Sequence, residues 1–178
     1  GTFDAGKGGY VLTPAELSGL TLTPPAHLSG TISLTATATI TENPTDQETT
    51  LSNNELVLSE DFNVELAPIA DAPVLNVQDA QVFEDGSVGL NINASLVDND
   101  SSETLTIEVS GIPAGWSVDT TNSGGSYNPA TGTWELTLAA GQNFTGGPVL
   151  SPPANSDVDA NLVVSATSTE IGDLSQTQ

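Results

Sequence analysis

An all-β sandwich is the fold this sequence predicts, on three observations. Short runs of alternating or β-branched residues recur along the chain, turn residues separate them, and helix signals are nearly absent. Strands at that spacing are the pattern of a sandwich. In order, the runs are Thr31–Ile40, Glu55–Leu58, Phe62–Leu66, Val74–Val77, Ser87–Ile92, Leu105–Val109, Trp134–Leu138 and Asn161–Ala166. Thr31–Ile40 alternates Thr or Ser with Ile, Leu or Ala, so one face is apolar and the other hydroxylated. Ser87–Ile92, Leu105–Val109 and Trp134–Leu138 alternate in the same way, while Asn161–Ala166 is read from its β-branched pair. Pro, Gly, Asn and Asp clusters punctuate these runs and supply the turns.

The chain also repeats itself. Gly1–Thr13 aligns with Gly125–Thr137, so that Phe3 meets Tyr127, Tyr10 meets Trp134 and Leu12 meets Leu136. Pro24-Pro25-Ala26 aligns with Pro152-Pro153-Ala154, Ala38-Thr39 with Ala166-Thr167, and Glu42 with Glu170. The offset grows from 124 to 128 residues, which places a four-residue insertion near Gly141–Gly147. A period of roughly 125 residues makes 1–70 the C-terminal part of one sandwich unit. Residues 71–178 are then a second, nearly complete unit lacking its last strand. Relative to its own period the chain reads as cut at both ends, either from a longer array or from a domain split by an inserted module. A sandwich without an edge strand exposes unpaired backbone that something must cover.

Composition narrows the function. One Lys+Arg stands against 23 Asp+Glu, a formal charge of −22. Nucleic-acid binding depends on basic residues at phosphates and is excluded on this reading, as is electrostatic docking on an anionic membrane. Self-repulsion at this charge opposes a compact state unless cations bind or screen it. There is no Cys, which excludes disulfides, thiol chemistry and Cys-type zinc sites. A metal is then the better staple. No signal peptide is read at the N-terminus and no apolar run approaches membrane-spanning length.

Acidic residues gather at the ends of the strand runs: Asp71, Glu84-Asp85, Asp98-Asn99-Asp100 and Glu103. Nothing in the sequence neutralises them. A hard divalent cation is the simplest way to hold several carboxylates close, and Ca2+ prefers such oxygen-rich sets. Turn preference also explains Asp-Asn-Asp, so that triplet alone leaves both readings open.

Leu12–Gly30, reading LTPAELSGLTLTPPAHLSG, resembles a pattern of the tandem repeats of giant bacterial RTX adhesins. Ala67–Pro73 resembles their inter-repeat linker, and Glu84–Ser87, Leu96–Leu105 and Ser110–Gly115 resemble the opening half of the next repeat. The resemblance implies Ig-like or cadherin-like sandwiches, type I secretion to the bacterial cell surface, and Ca2+ at domain junctions. It implies metal ligands at Asp71 in the linker, Glu84, Asp85, Asp98, Asp100 and Glu103, with Glu42 and Glu170 ending the long strands. On this reading Asp71, Glu84-Asp85 and Asp98–Asp100 converge at one pole of the sandwich. The resembled pattern often carries Asp after Pro-Pro-Ala, whereas His27 and Asn155 stand here, which weighs against a ligand at that place.

Catalysis has little to stand on. His27 is the single histidine, its counterpart is Asn155, and it reads as a rim residue; no Gly-x-Ser-x-Gly elbow surrounds a serine. The aromatic residues lie in or beside strand runs and read as core. The expectation is a calcium-rigidified extracellular adhesin module, not an enzyme. Its expected partners are neighbouring repeats or an inserted ligand-binding domain. The alternatives are a glycan- or peptide-binding module and a self-assembling filament unit.

Overall fold

The computed structural model describes residues 1–42, 55–98 and 100–171, and among them every regular element but one 3-10 turn, Pro14–Glu16, is a β-strand. The first half of the chain holds β1 (Thr2–Asp4), β2 (Gly9–Val11), β3 (Gly30–Thr41) and β4 (Glu55–Leu66). The second holds β5 (Val74–Gln78), β6 (Val88–Gly89), β7 (Asn91–Ser95), β8 (Glu103–Ser110) and β9 (Ser117–Asp119). It continues with β10 (Ser126–Asn128), β11 (Thr133–Thr137), β12 (Phe144–Gly146), β13 (Val149–Ser151) and β14 (Val163–Glu170).

The second half is a β-sandwich. One sheet runs β10-β11-β8-β14; opposite it stand β12-β7-β5 and the smaller β6-β13-β9. Every strand pair is antiparallel. Alternation along β8 turns Leu105, Ile107 and Val109 inward, where they meet Ile92, Ala94 and Trp134. Trp134 is fully buried, and its indole Nε1–H donates to the Gly124 carbonyl at 3.0 Å, so the ring's one polar group is satisfied.

Two sequence runs have different boundaries from those expected. Glu55–Leu58 and Phe62–Leu66 are one strand, because Ser59–Asp61 stays in register with β3. Thr35 Oγ1 donates to Asp61 Oδ1 at 2.7 Å and Thr37 meets Ser59 hydroxyl to hydroxyl at 2.9 Å, so the polar stretch is held across the ladder. Ser87–Ile92 instead splits at Leu90: β6 pairs with β13, while β7 pairs with β5 and β12. The chain changes sheets there, with the Leu90 N–H held by the Pro148 carbonyl.

The internal repeat is visible in the backbone. Phe3 pairs with Tyr10 across β1–β2, as Tyr127 pairs with Trp134 across β10–β11. His27 and Asn155 share a left-handed backbone, with φ of 60° and 55°. Environment separates the copies. Tyr10 is 72% exposed where Trp134 is fully buried, and no described residue before Ile92 is fully buried. The expected core role of Phe3 and Tyr10 is thus not met here: they stack on each other edge to face, on the outside.

Truncating Ile107 to Ala should cost about 2–5 kcal/mol in a denaturant titration. The same truncation at Leu58, 63% exposed on β4, should cost within about 0.5 kcal/mol.

Candidate metal centre

The alternation that builds the core also builds the site. On β8 the inward stripe of Val109, Ile107 and Leu105 ends at Glu103, only 1% exposed. Beyond β7, the stripe of Ile92, Ala94 and Leu96 ends at Asp98, 6% exposed. On β14 the half-buried Val164, Ala166 and Ser168 end at Glu170. Three inward rows from three strands therefore finish in carboxylates at the same pole.

Glu103 and Glu170 are direct cross-strand partners. Facing pairs of this kind hold their Cβ atoms roughly 5 Å apart, and like charges there repel. The linker approaches the same point. The Asp71 N–H donates to Glu103 Oε1 at 2.8 Å, and the Ser168 hydroxyl donates to the Asp71 carbonyl. Glu103 Oε2, both Glu170 carboxylate oxygens and Ser102 Oγ are shielded from solvent and have no hydrogen-bond partner. An unpartnered buried charge is costly, and Glu103 and Glu170 place two side by side.

Burial first, then the charges of Glu103, Asp100 and Asp98, push the Glu170 carboxyl above its ordinary range, although Ser102 pulls the other way. Asp100, on the exposed rim, is held down at about 2 by the polar groups of Ser102 and Ser29. Its Oδ2 accepts from Ser29 N–H at 3.2 Å and Ser29 Oγ–H at 2.7 Å, and its Oδ1 accepts from Ser102 N–H at 2.8 Å. Asp98 Oδ1 accepts the Asp100 N–H at 3.0 Å.

The expected ligands divide. Asp71, Asp98, Asp100, Glu103 and Glu170 come together at this pole. Glu84 and Asp85 do not, which corrects the expectation of one convergence: they follow β5, which carries the chain to the opposite pole. There Asp85 accepts the Asn155 N–H at 2.8 Å, and Glu84 is exposed. Glu42 is also apart. It follows the far end of β3, and the twelve residues of that strand separate it from Ser29, roughly 40 Å of extended chain. Asn99 lies outside the described residues.

The sequence reading missed His27, Ser29 and Ser102. His27 Nδ1 lies 2.6 Å from Asp71 Oδ2, so the residue read as a rim histidine contacts the site. No protein-family model matches the chain, and no curated protein matches it either.

The Glu170 shift fixes a sign. A carboxyl with a raised folded-state pKa takes up a proton on folding, so its contribution to stability improves as pH falls from above its folded value towards 4.5. The Asp100 contribution is present above 3.8 and is lost only as pH falls from there towards about 2. Metal-free protein should therefore melt higher at pH 5 than at pH 7, and Glu170→Gln should shrink that difference in a calorimetric pH series.

Proposed function

We propose that this chain is a calcium-binding structural module of a bacterial cell-surface adhesin, stiffened by Ca2+ where its two units meet. One observation carries the reading: Glu103 and Glu170 face each other, shielded and without a neutralising partner, at the pole where the upstream half and the linker arrive. The donors fit the ion, because Glu103, Glu170, Asp98 and Asp100 offer carboxylate oxygens and Ser102 a hydroxyl, the hard oxygen set that Ca2+ takes in sixes to eights. Calcium would supply the positive charge that the chain lacks.

The remaining roles belong to the protein. Asp71 ties the linker to Glu103 through its backbone, and Ser29 ties the start of β3 to Asp100. Both tethers end on carboxylates of the cluster, so ordering the cluster orders the seam. Without neutralisation those carboxylates repel and the linker is freer to bend. The resemblance of Leu12–Gly30 and Ala67–Pro73 to RTX adhesin repeats supports an Ig- or cadherin-like unit, export by type I secretion and a place outside the cell.

A second reading is favoured by a specific feature. β14 is an edge strand, and beside it a groove of about 1280 Å3 is lined by Val77, Leu90, Trp116 and Val164 among others. An extended peptide or a strand of another copy would fit there by strand addition.

Calcium at one hundred times its dissociation constant should stabilise the protein by about 2.7 kcal/mol. Extracellular modules bind in the 10⁻⁴ to 10⁻³ M range, so about 10 mM calcium reaches that level at the tight end. Protease cutting near Ala70–Pro73 should slow in calcium, and Glu103→Gln should abolish both effects. Melting curves that superimpose in calcium and in EDTA would sink the reading.

A further inference from the structure

His27, Asp71 and Asp98 come from three separate segments: the loop after Pro24-Pro25-Ala26, the linker, and the turn after β7. One ligand atom from each lies within 4.8 Å of the other two. We propose that these three side chains form a second metal position, distinct in chemistry from the all-oxygen cluster. It would take a borderline first-row divalent ion, with Zn2+ as the reference.

The donor set sets the class. An imidazole nitrogen with two carboxylates suits Zn2+, Co2+ or Ni2+ better than Ca2+. Three protein ligands with a place left for water is a common zinc arrangement, at bond lengths of about 2.0–2.2 Å. Donors around such an ion sit roughly 3.3 Å apart, so the present spread needs to contract by about 1.5 Å at most. His27 and Asp71 are both partly exposed and can turn inward by that amount.

Two of the three donors are already placed by other contacts. The Asp71 backbone is held on one side by Glu103 and on the other by Ser168. Asp98 is buried and takes the Asp100 N–H on one oxygen. The third donor is aimed by its backbone. His27 adopts φ of 60°, as its counterpart Asn155 does at 55°, so the loop shape belongs to the repeat and the imidazole is what differs. An ionised carboxylate only accepts, so His27 Nδ1 donates its proton to Asp71 Oδ2 in the ion-free form, and metal binding at Nδ1 would shift that proton to Nε2. A cleft of about 250 Å3, lined by His27, Ser29, Pro68 and Asp71 among others, opens two of the three donors to an ion from solvent.

The position would join the halves of the chain directly. His27 is the donor from the first unit, Asp98 the donor from the second, and Asp71 the linker between them. It shares Asp98 with the oxygen cluster and takes no ligand atom from Glu103 or Glu170, so its metal binding is tested apart from the calcium reading.

The test is a titration of metal-free protein with Zn2+ by calorimetry in saturating calcium, repeated with Co2+ in the visible spectrum. The expected result is one Zn2+ per chain and a cobalt spectrum typical of nitrogen ligation. His27→Ala should weaken Zn2+ binding roughly tenfold or more and change that spectrum. Glu103→Gln should keep Zn2+ binding while losing the calcium stabilisation. Absence of Zn2+ binding, unaltered binding and spectrum in His27→Ala, or full displacement of Zn2+ by calcium would each overturn the proposal. A calcium-induced rise in melting temperature alongside any of these leaves the calcium reading intact. Zn2+ binding that depends on His27, without that rise, supports the second position and removes the calcium reading.

Discussion

Buried carboxylates at one pole of the sandwich are the constraint on which the other features of this molecule depend. Side-chain direction in a strand has period two, so the register that buries Leu105, Ile107 and Val109 also buries Glu103. A one-residue slip would release Glu103 only by turning the whole apolar row outward. Glu170, directly opposite on β14, is caught by the same ladder. The fold has no internal means of separating the two, and little positive charge with which to balance them. The one Lys or Arg is Lys7, exposed on the turn between β1 and β2 in the first half of the chain.

The seam between the halves inherits this electrostatic problem. Its contacts include Ser29 on Asp100, His27 on Asp71, and Asp71 on Glu103. Exposed hydrogen bonds and ion pairs of this kind are weakened by water and screened by salt. Every one of them ends on an acidic side chain that is part of, or adjoins, the crowded pole. The stiffness of the seam is therefore coupled to the charge state of that pole, and the proposed cation would act on both together.

The first half of the chain depends on contacts of another kind. Ile32, Leu34, Ile40, Leu56, Leu58 and Phe62 share one face of the β3–β4 hairpin, while Thr and Ser crowd the other. A two-stranded hairpin is marginal by itself, and an apolar face of this size marks a surface made to be covered. The repeat supplies a template for the cover. β14 is the counterpart of β3, and its inward face packs against the core that β7 and β12 also build. The same relation explains why Tyr10 is bare and Trp134 buried in otherwise equivalent hairpins.

Period-two alternation made the all-β class, most of the long strands and the internal repeat legible from residues alone, because those properties depend on neighbours along the chain. The same pattern already contained Glu103 at the end of a buried row. Short strands such as β9, β12 and β13 left no comparable mark, since three residues are too few to show a period. Which acids meet was only partly legible: Asp71 and Asp98 were expected together, but so were Glu84 and Asp85. Asp71, Asp98, Glu103 and Glu170 gather because three strands and a linker end at one pole; Glu84 and Asp85 are as acidic but lie one strand-length away. His27 shows the limit most clearly: its sequence neighbours gave it no role, and only the approach of the linker from 44 residues on sets its ring against Asp71. Local periodicity decides which way a side chain faces, whereas the path of the chain between poles decides what it meets there.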